Sequence, residues 1–292
     1  MRKILLALIL ASIVILSGVN GCPKQEEKVS TTGLEMAFVE SAPPVSSVVG
    51  SEFPIYVDIT NIGGELINKG EAKFYLKNVE YFENVKSSLT NARTLEKEST
   101  FPERLVFAEK AKFTFPLKDV FSPTLVMTAC YPYSDTTQAT ICVSVTNESK
   151  VCSLSGEKIT SSTAGPIQVT SITESIAGNK LTLRIDIANK ASGQVYLLDT
   201  DCDKLEANDV AESSQKQGKV NVNIITKDDF ACRLQAAASP YNQIAGLEGT
   251  VPIGSVICEK TLAGKEHSSP FIVVLKYKYR DSISKIVNIV SQ

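Results

Sequence analysis

Phe53-Pro54-Ile55-Tyr56-Val57-Asp58-Ile59-Thr60-Asn61 is the stretch that decides the fold. Phe53, Ile55, Val57 and Ile59 alternate with largely polar neighbours, the period-2 pattern of a strand with one buried face. Asn61 to Gly64 then supplies a turn. The pattern returns 128 residues later as Leu181-Thr182-Leu183-Arg184-Ile185-Asp186-Ile187-Ala188-Asn189. Phe53 aligns with Leu181, Val57 with Ile185 and Asn61 with Asn189. The outward Asp58 and Asp186 coincide, and Gly50 and Gly178 each stand three residues upstream.

The ends of the two copies also correspond. Residues 125–133, ending Tyr131-Pro132-Tyr133, lead through Ser134-Asp135 into 139–145; residues 271–279, ending Tyr277-Lys278-Tyr279, lead through Arg280-Asp281 into 285–290. Each is expected to close its unit as a hairpin, the first turning near Thr136. Short alternating strands with frequent turn signals in units of this size predict an all-β chain. The expected architecture is two tandem immunoglobulin-like sandwiches, residues 33–148 and 163–292, each with its own core and joined by a Ser/Thr/Gly-rich linker at 149–162. Residues 83–104 and 199–218 read as polar insertions, each a loop or a ragged strand pair, and 228–238 suits a short helix.

The N-terminus fixes the compartment. Arg2 and Lys3 precede an apolar run from Ile4 to Leu16, followed by small residues: a secretory signal over residues 1–21. These thirteen residues, all apolar except Ser12, make a helix of only about 20 Å, short of the roughly 30 Å hydrocarbon core. Val19-Asn20-Gly21-Cys22 resembles a lipobox, which implies lipidation of Cys22 as the first mature residue; cleavage without lipid and an uncleaved helix are the alternatives. Residues 22–32 are polar and without periodicity, a flexible tether. Each alternative places the folded part outside the cytoplasm, and the lipid or the uncleaved helix anchors it to the outer face of the cell membrane.

Without Arg2 and Lys3, 28 Lys+Arg stand against 32 Asp+Glu with no basic block, which disfavours nucleic acid as a partner. Beyond Cys22 there are six cysteines, an even number for an oxidising compartment, so disulfides are expected. Cys130 and Cys142 would face each other across the expected hairpin; Cys232 with Cys258 comes next, leaving Cys152 with Cys202. Asn147-Glu148-Ser149 is a glycosylation sequon at the junction.

The residues 33–39, Ala42-Pro43-Pro44 and the strand 53–61 resemble the CARDB-type immunoglobulin-like domains of prokaryotic surface proteins. The 129–142 segment and the opening at Gly165-Pro166 resemble two-domain secreted proteins of archaea. The resemblance implies a β-sandwich with an adhesion or scaffolding role and carries over no active-site residue.

Few constellations carry chemistry. Asp199, Asp201 and Asp203 place oxygens at alternate positions as a calcium loop does, but Lys204 and Val210 stand where glycine and glutamate are needed. The segment reads as a solvated acidic loop and is the one metal candidate. His267, the single histidine, precedes Ser268 and Ser269, yet adjacency in sequence does not orient a base on a nucleophile. The Tyr131/Tyr133 and Tyr277/Tyr279 pairs suit either a partner-binding row or core packing. The reading is a non-enzymatic binding, adhesion or scaffold protein without cofactor, its partner a surface protein or glycan. A solute-binding lipoprotein and a glycan-processing accessory or hydrolase are the alternatives.

Overall fold

The structure, a computed structural model, describes residues 30–146, 149–234, 244–245 and 247–291. The expected signal, Cys22, most of the expected tether and Asn147 lie outside these residues. With 57% of the described residues in strands and 5% in helices, the protein is all-β.

Two four-stranded sheets repeat one plan. The first is β1 (Leu34–Phe38), β3 (Glu52–Asn61), β7 (Glu103–Phe113) and β5 (Phe82–Glu83); the second is β10 (Ile167–Ala177), β11 (Lys180–Asn189), β17 (Gly254–Thr261) and β14 (Ala231–Leu234). The duplicated strands are thus β3 and β11, each second in its sheet. Gly50 and Gly178 both have positive φ, 83° and 62°, at the turn before each.

Opposite these sheets lies one continuous sheet. Its order is β15 (Ile244–Ala245), β16 (Glu248–Pro252), β13 (Lys219–Thr226), β18 (His267–Ile286), β8 (Thr124–Val143), β4 (Lys73–Lys77) and β6 (Ser88–Thr90). β9 (Ile159–Ser162) pairs beside β8, and β12 (Gln194–Tyr196) beside β18. After β18 the chain returns as β19 (Asn288–Val290), parallel to β2 (Ser46–Val48). The first half contributes β8-β4-β6 and the second β18-β13-β16, again the same plan twice.

β8 and β18 are each a single strand of 20 residues, paired antiparallel from Val143↔His267 to Thr124↔Ile286. At about 3.3 Å per residue the ladder runs some 65 Å. The expected hairpin at Thr136 does not form. Ser134, Asp135 and Thr136 offer no glycine to reverse the chain, and continuing straight lets every residue of β8 pair with β18. One contiguous buried cluster therefore holds Ile55, Val57 and Phe74 of the first half with Ile185, Val222 and Phe271 of the second.

The continuous strand also corrects the cysteine pairing. Along a strand, Cys130 and Cys142 lie about 40 Å apart and cannot meet. Instead Cys130 bonds Cys202 and Cys142 bonds Cys152, so Cys152–Cys202 does not form either. Cys232–Cys258 forms as expected, between partners in register on β14 and β17. That pairing requires extended backbone at Ala231–Leu234, which replaces the short helix expected there. Three disulfides point to an oxidising, extracytoplasmic environment. Among the described residues, no helix is long and apolar enough to cross a membrane.

Segment 149–162 is fastened to the frame. Cys152 is bridged to β8, and Lys158 forms an ion pair of 2.9 Å with Glu174 of β10, both side chains buried. Burial raises the Glu174 carboxyl, working against Lys158 and the Cys142 amide that bond to it.

Non-reduced digests should release the peptide of Cys130 joined to that of Cys202, and mass spectrometry reads this directly. The bridge closes a loop of 72 residues, worth about 4 kcal/mol of unfolded-state entropy. The Cys130→Ser/Cys202→Ser double variant should lower the melting temperature by about ten degrees. Recovery of a Cys130–Cys142 peptide would refute the continuous β8.

Candidate functional site

The middle of the β8–β18 ladder is a waist where both halves meet. Tyr131 stands opposite Tyr279 and Tyr133 opposite Tyr277, and all four are buried. They are core, the second of the two readings. Their rings form a closed circuit, with centroids 6.0 Å (Tyr131–Tyr133), 6.1 Å (Tyr131–Tyr279), 6.1 Å (Tyr133–Tyr277) and 6.3 Å (Tyr277–Tyr279) apart. Such tilted and edge contacts are favourable for rings carrying a quadrupole.

Each hydroxyl is satisfied. The Tyr131 oxygen accepts from the Leu34 amide at 3.3 Å, and Tyr277 accepts likewise from Ile167. Tyr133 donates to the Ala164 carbonyl and Tyr279 to the Asn189 side chain. The duplication persists here: Asn61 and Asn189 each donate to the carbonyl four residues on and accept from the amide two residues on. It explains two glycines. A methyl group on Gly63 would overlap the Tyr133 hydroxyl, and one on Gly193 would sit 2.6 Å from the Tyr279 ring.

Asp135 breaks the symmetry. Its carboxylate is buried, takes the Tyr277 hydroxyl and lies 3.4 Å from Thr163. Burial pushes its pKa up to about 7, against hydrogen bonds from Tyr277, the Ile167 amide and Thr163, with Glu65 adding a further push upward.

The outer face of the central sheet is treated differently in the two halves. In the first half it is covered by an insertion from the second: α1 (Cys202–Glu206), capped by Asp201, and α2 (Val210–Lys216), capped by Asp209. The loop or ragged strand pair expected over 199–218 is therefore helical, because two aspartates satisfy the first amides of two short helices. Cys202, Leu205 and Tyr196 pack on Tyr75 and Cys130. Around this small core Lys73 meets Asp203 at 2.6 Å, Lys77 meets Glu206 at 2.8 Å and Arg280 meets Glu206 at 3.1 Å.

In the second half the equivalent face is open. Val220, Val222 and Ile224 point into the core, so Asn221 and Asn223 point outward. Rows cross four strands: Thr250, Asn221, Lys276 and Ser134 in one, Glu248, Asn223, Val274 and Thr136 in the next. A shallow groove of about 420 Å³ runs over them, lined by Asn223, Thr250, Val274 and Lys276 among others. This is a platform of amide and hydroxyl side chains with one acidic and one basic residue, Glu248 and Lys276, among them. The Val-Asn alternation in 219–226, absent from the expectations above, is the sequence signal that locates it.

The residues singled out from sequence do not converge. Asp199 pairs with Lys216 at 3.3 Å, Asp201 caps α1, and Asp203 binds Lys73 and Tyr75. All three carboxylates are engaged by protein groups, and among the described residues no cluster of three His, Cys, Asp or Glu could hold a metal. His267 and Ser269 both reach Asp228. The imidazole lies between Asp228 (3.3 Å) and the Lys265 carbonyl (3.0 Å). The order is serine–aspartate–histidine, so the ring cannot take the serine proton as a catalytic base would. Burial works to raise Asp228, but Ser269, Lys260 and His267 hold it below the ordinary carboxylate range. No protein-family model matches the chain, and no curated protein matches it in sequence.

Two measurements probe the waist. Gly63→Ala and Gly193→Ala should each cost about 1–3 kcal/mol through overpacking, lowering the melting temperature, because the added methyl group meets Tyr133 or Tyr279 and neither glycine has positive φ. For Asp135 the folded pKa lies above the unfolded one, so the native state binds the extra proton between about pH 4 and pH 7. Its contribution to stability is full below about pH 4 and is lost as pH rises through about 7. Asp135→Asn should therefore melt progressively higher relative to wild type as pH rises from about 4.5 to about 7.5. A difference independent of pH would place the carboxylate in water.

Proposed function

We propose that the chain is a membrane-anchored, extracytoplasmic binding or scaffold protein without catalytic activity. In this reading it comprises two immunoglobulin-like sandwiches of CARDB type, held by a lipid on Cys22, and its partner is a surface protein or glycan. The observation that carries the reading is the unequal treatment of two matching faces. One is sealed by α1, a disulfide and three ion pairs, and its counterpart is left as an open polar platform. Amide and hydroxyl side chains on a rigid sheet favour directional hydrogen bonding to a partner's polar groups, and a sheet braced on both sides of the waist keeps them in register. The three disulfides support the compartment. The engagement of both His267 ring nitrogens supports a role outside catalysis.

Pull-down from intact envelopes with the tagged mature chain, beside Asn223→Arg and Thr136→Arg variants, tests the platform. Loss of the captured partner in both variants, with unchanged melting, is expected; undiminished capture removes the platform from the reading. In the same cells Cys22→Ser should leave the membrane fraction or remain unprocessed. Normal processing with membrane retention would refute the lipid anchor.

A further inference from the structure

The described chain begins at the waist and not at an end of the molecule. The Ser30 carbonyl accepts from the Gly165 amide at 3.1 Å. From there a short run of backbone bonds leads outward: Gly64 to Ala164 at 2.7 Å, Glu98 to Gly63 at 2.9 Å and Ser99 to Asn61 at 2.8 Å. The loop reached in this way ends at Phe101, whose side chain is 78% exposed. Leu66, beside the Ile67–Leu95 bridge of the same region, is 43% exposed. Beside Phe101 lies a groove of about 520 Å³ lined by Asn61, Arg93, Leu95 and Glu98 as well. A phenylalanine left this far in water at a loop tip gains free energy in any apolar contact.

Chain length says which contact is within reach. Ser30 is eight Cα–Cα steps on from Cys22, at most about 28 Å when fully extended and about 16 Å as an average coil. A lipid on Cys22 would hold the waist that close to the headgroups, whereas either tip of the roughly 65 Å ladder stands about another 30 Å away. From this geometry we infer that the Phe101 loop is a membrane-contacting surface, with Phe101 and Leu66 seated in the bilayer interface and the β8–β18 ladder lying along the membrane. The inference rests on the lipid-anchor reading above. Arg93 and Lys97 beside Glu96 and Glu98 leave the loop close to neutral, so the occupant is a bilayer surface of any headgroup charge and the contact is apolar.

The chain contains no tryptophan and nine tyrosines, so Phe101→Trp introduces a single tryptophan whose emission is excited selectively at wavelengths the tyrosines do not absorb. Phe115→Trp is the control: Phe115 is 53% exposed and lies beyond the opposite end of β7, whose 11 residues run about 35 Å. Both mature lipidated variants are reconstituted on phosphatidylcholine vesicles whose acyl chains carry bromine near the headgroup. The Phe101→Trp variant should lose roughly half its emission and shift to the blue, as an interfacial side chain buried about 5–10 Å does, while the emission of the Phe115→Trp variant is unaffected. A chain that floats with the vesicles while the Phe101→Trp variant remains as bright as the control overturns the inference and leaves the anchor standing. Equal quenching in both variants overturns the proposed orientation. A chain that does not float overturns the anchor reading and the inference with it.

Discussion

The structure depends on the pairing of β8 with β18. Each strand serves both halves: its first part completes the sheet of its own half, and its second part crosses into the other. Side chains on the inner face follow, so Leu125 and Met127 pack in the first half and Ile141 and Val143 toward the second. Neither four-stranded sheet buries its apolar face without this central sheet, which is why the inner faces of both halves join one cluster.

The four tyrosines make the crossing specific. A ladder of backbone bonds alone tolerates slippage by two residues, because the inner face stays inner. Stacking two tyrosines of each strand against their counterparts, with each hydroxyl matched to one backbone or asparagine group, makes every other register lose those bonds. Gly63 and Gly193 are the spaces that this arrangement requires. Asp135 is the one member whose charge is at odds with its burial, and its cost falls on the point where the halves touch.

Period-2 alternation made β3 and β11 legible, because their inner residues face a core and their outer ones face water. The repeat was legible for the same reason. What escaped was long-range. Tyr131-Pro132-Tyr133 followed by Ser134-Asp135 looks like the rim of a hairpin, and only the presence of a second matching strand makes extension preferable to reversal. The cysteine pairing failed with it, since Cys130 and Cys142 were placed by that turn. Cys232–Cys258 was found because its geometry is local to two strands. The helices at 202–206 and 210–216 are too short to show an apolar periodicity, and their caps, Asp201 and Asp209, carry the only signal. The open platform could be read from Val-Asn alternation, but nothing in the sequence distinguishes an uncovered outer face from one that an insertion seals.

The ladder also sets an order of events during synthesis. Partners on β8 and β18 are separated by 124 residues at the Val143–His267 end and by 162 at the Thr124–Ile286 end. β8 is thus complete long before its partner exists, and contacts this distant in sequence form slowly. In that interval the edge of β8 that β18 will take is unpaired, the kind of edge on which chains aggregate. Ser134, Thr136, Gln138 and Thr140 place polar groups along the outward side of its second half. Two of them, Ser134 and Thr136, later floor the open platform, and all four keep the waiting strand wettable while the rest of the chain is made.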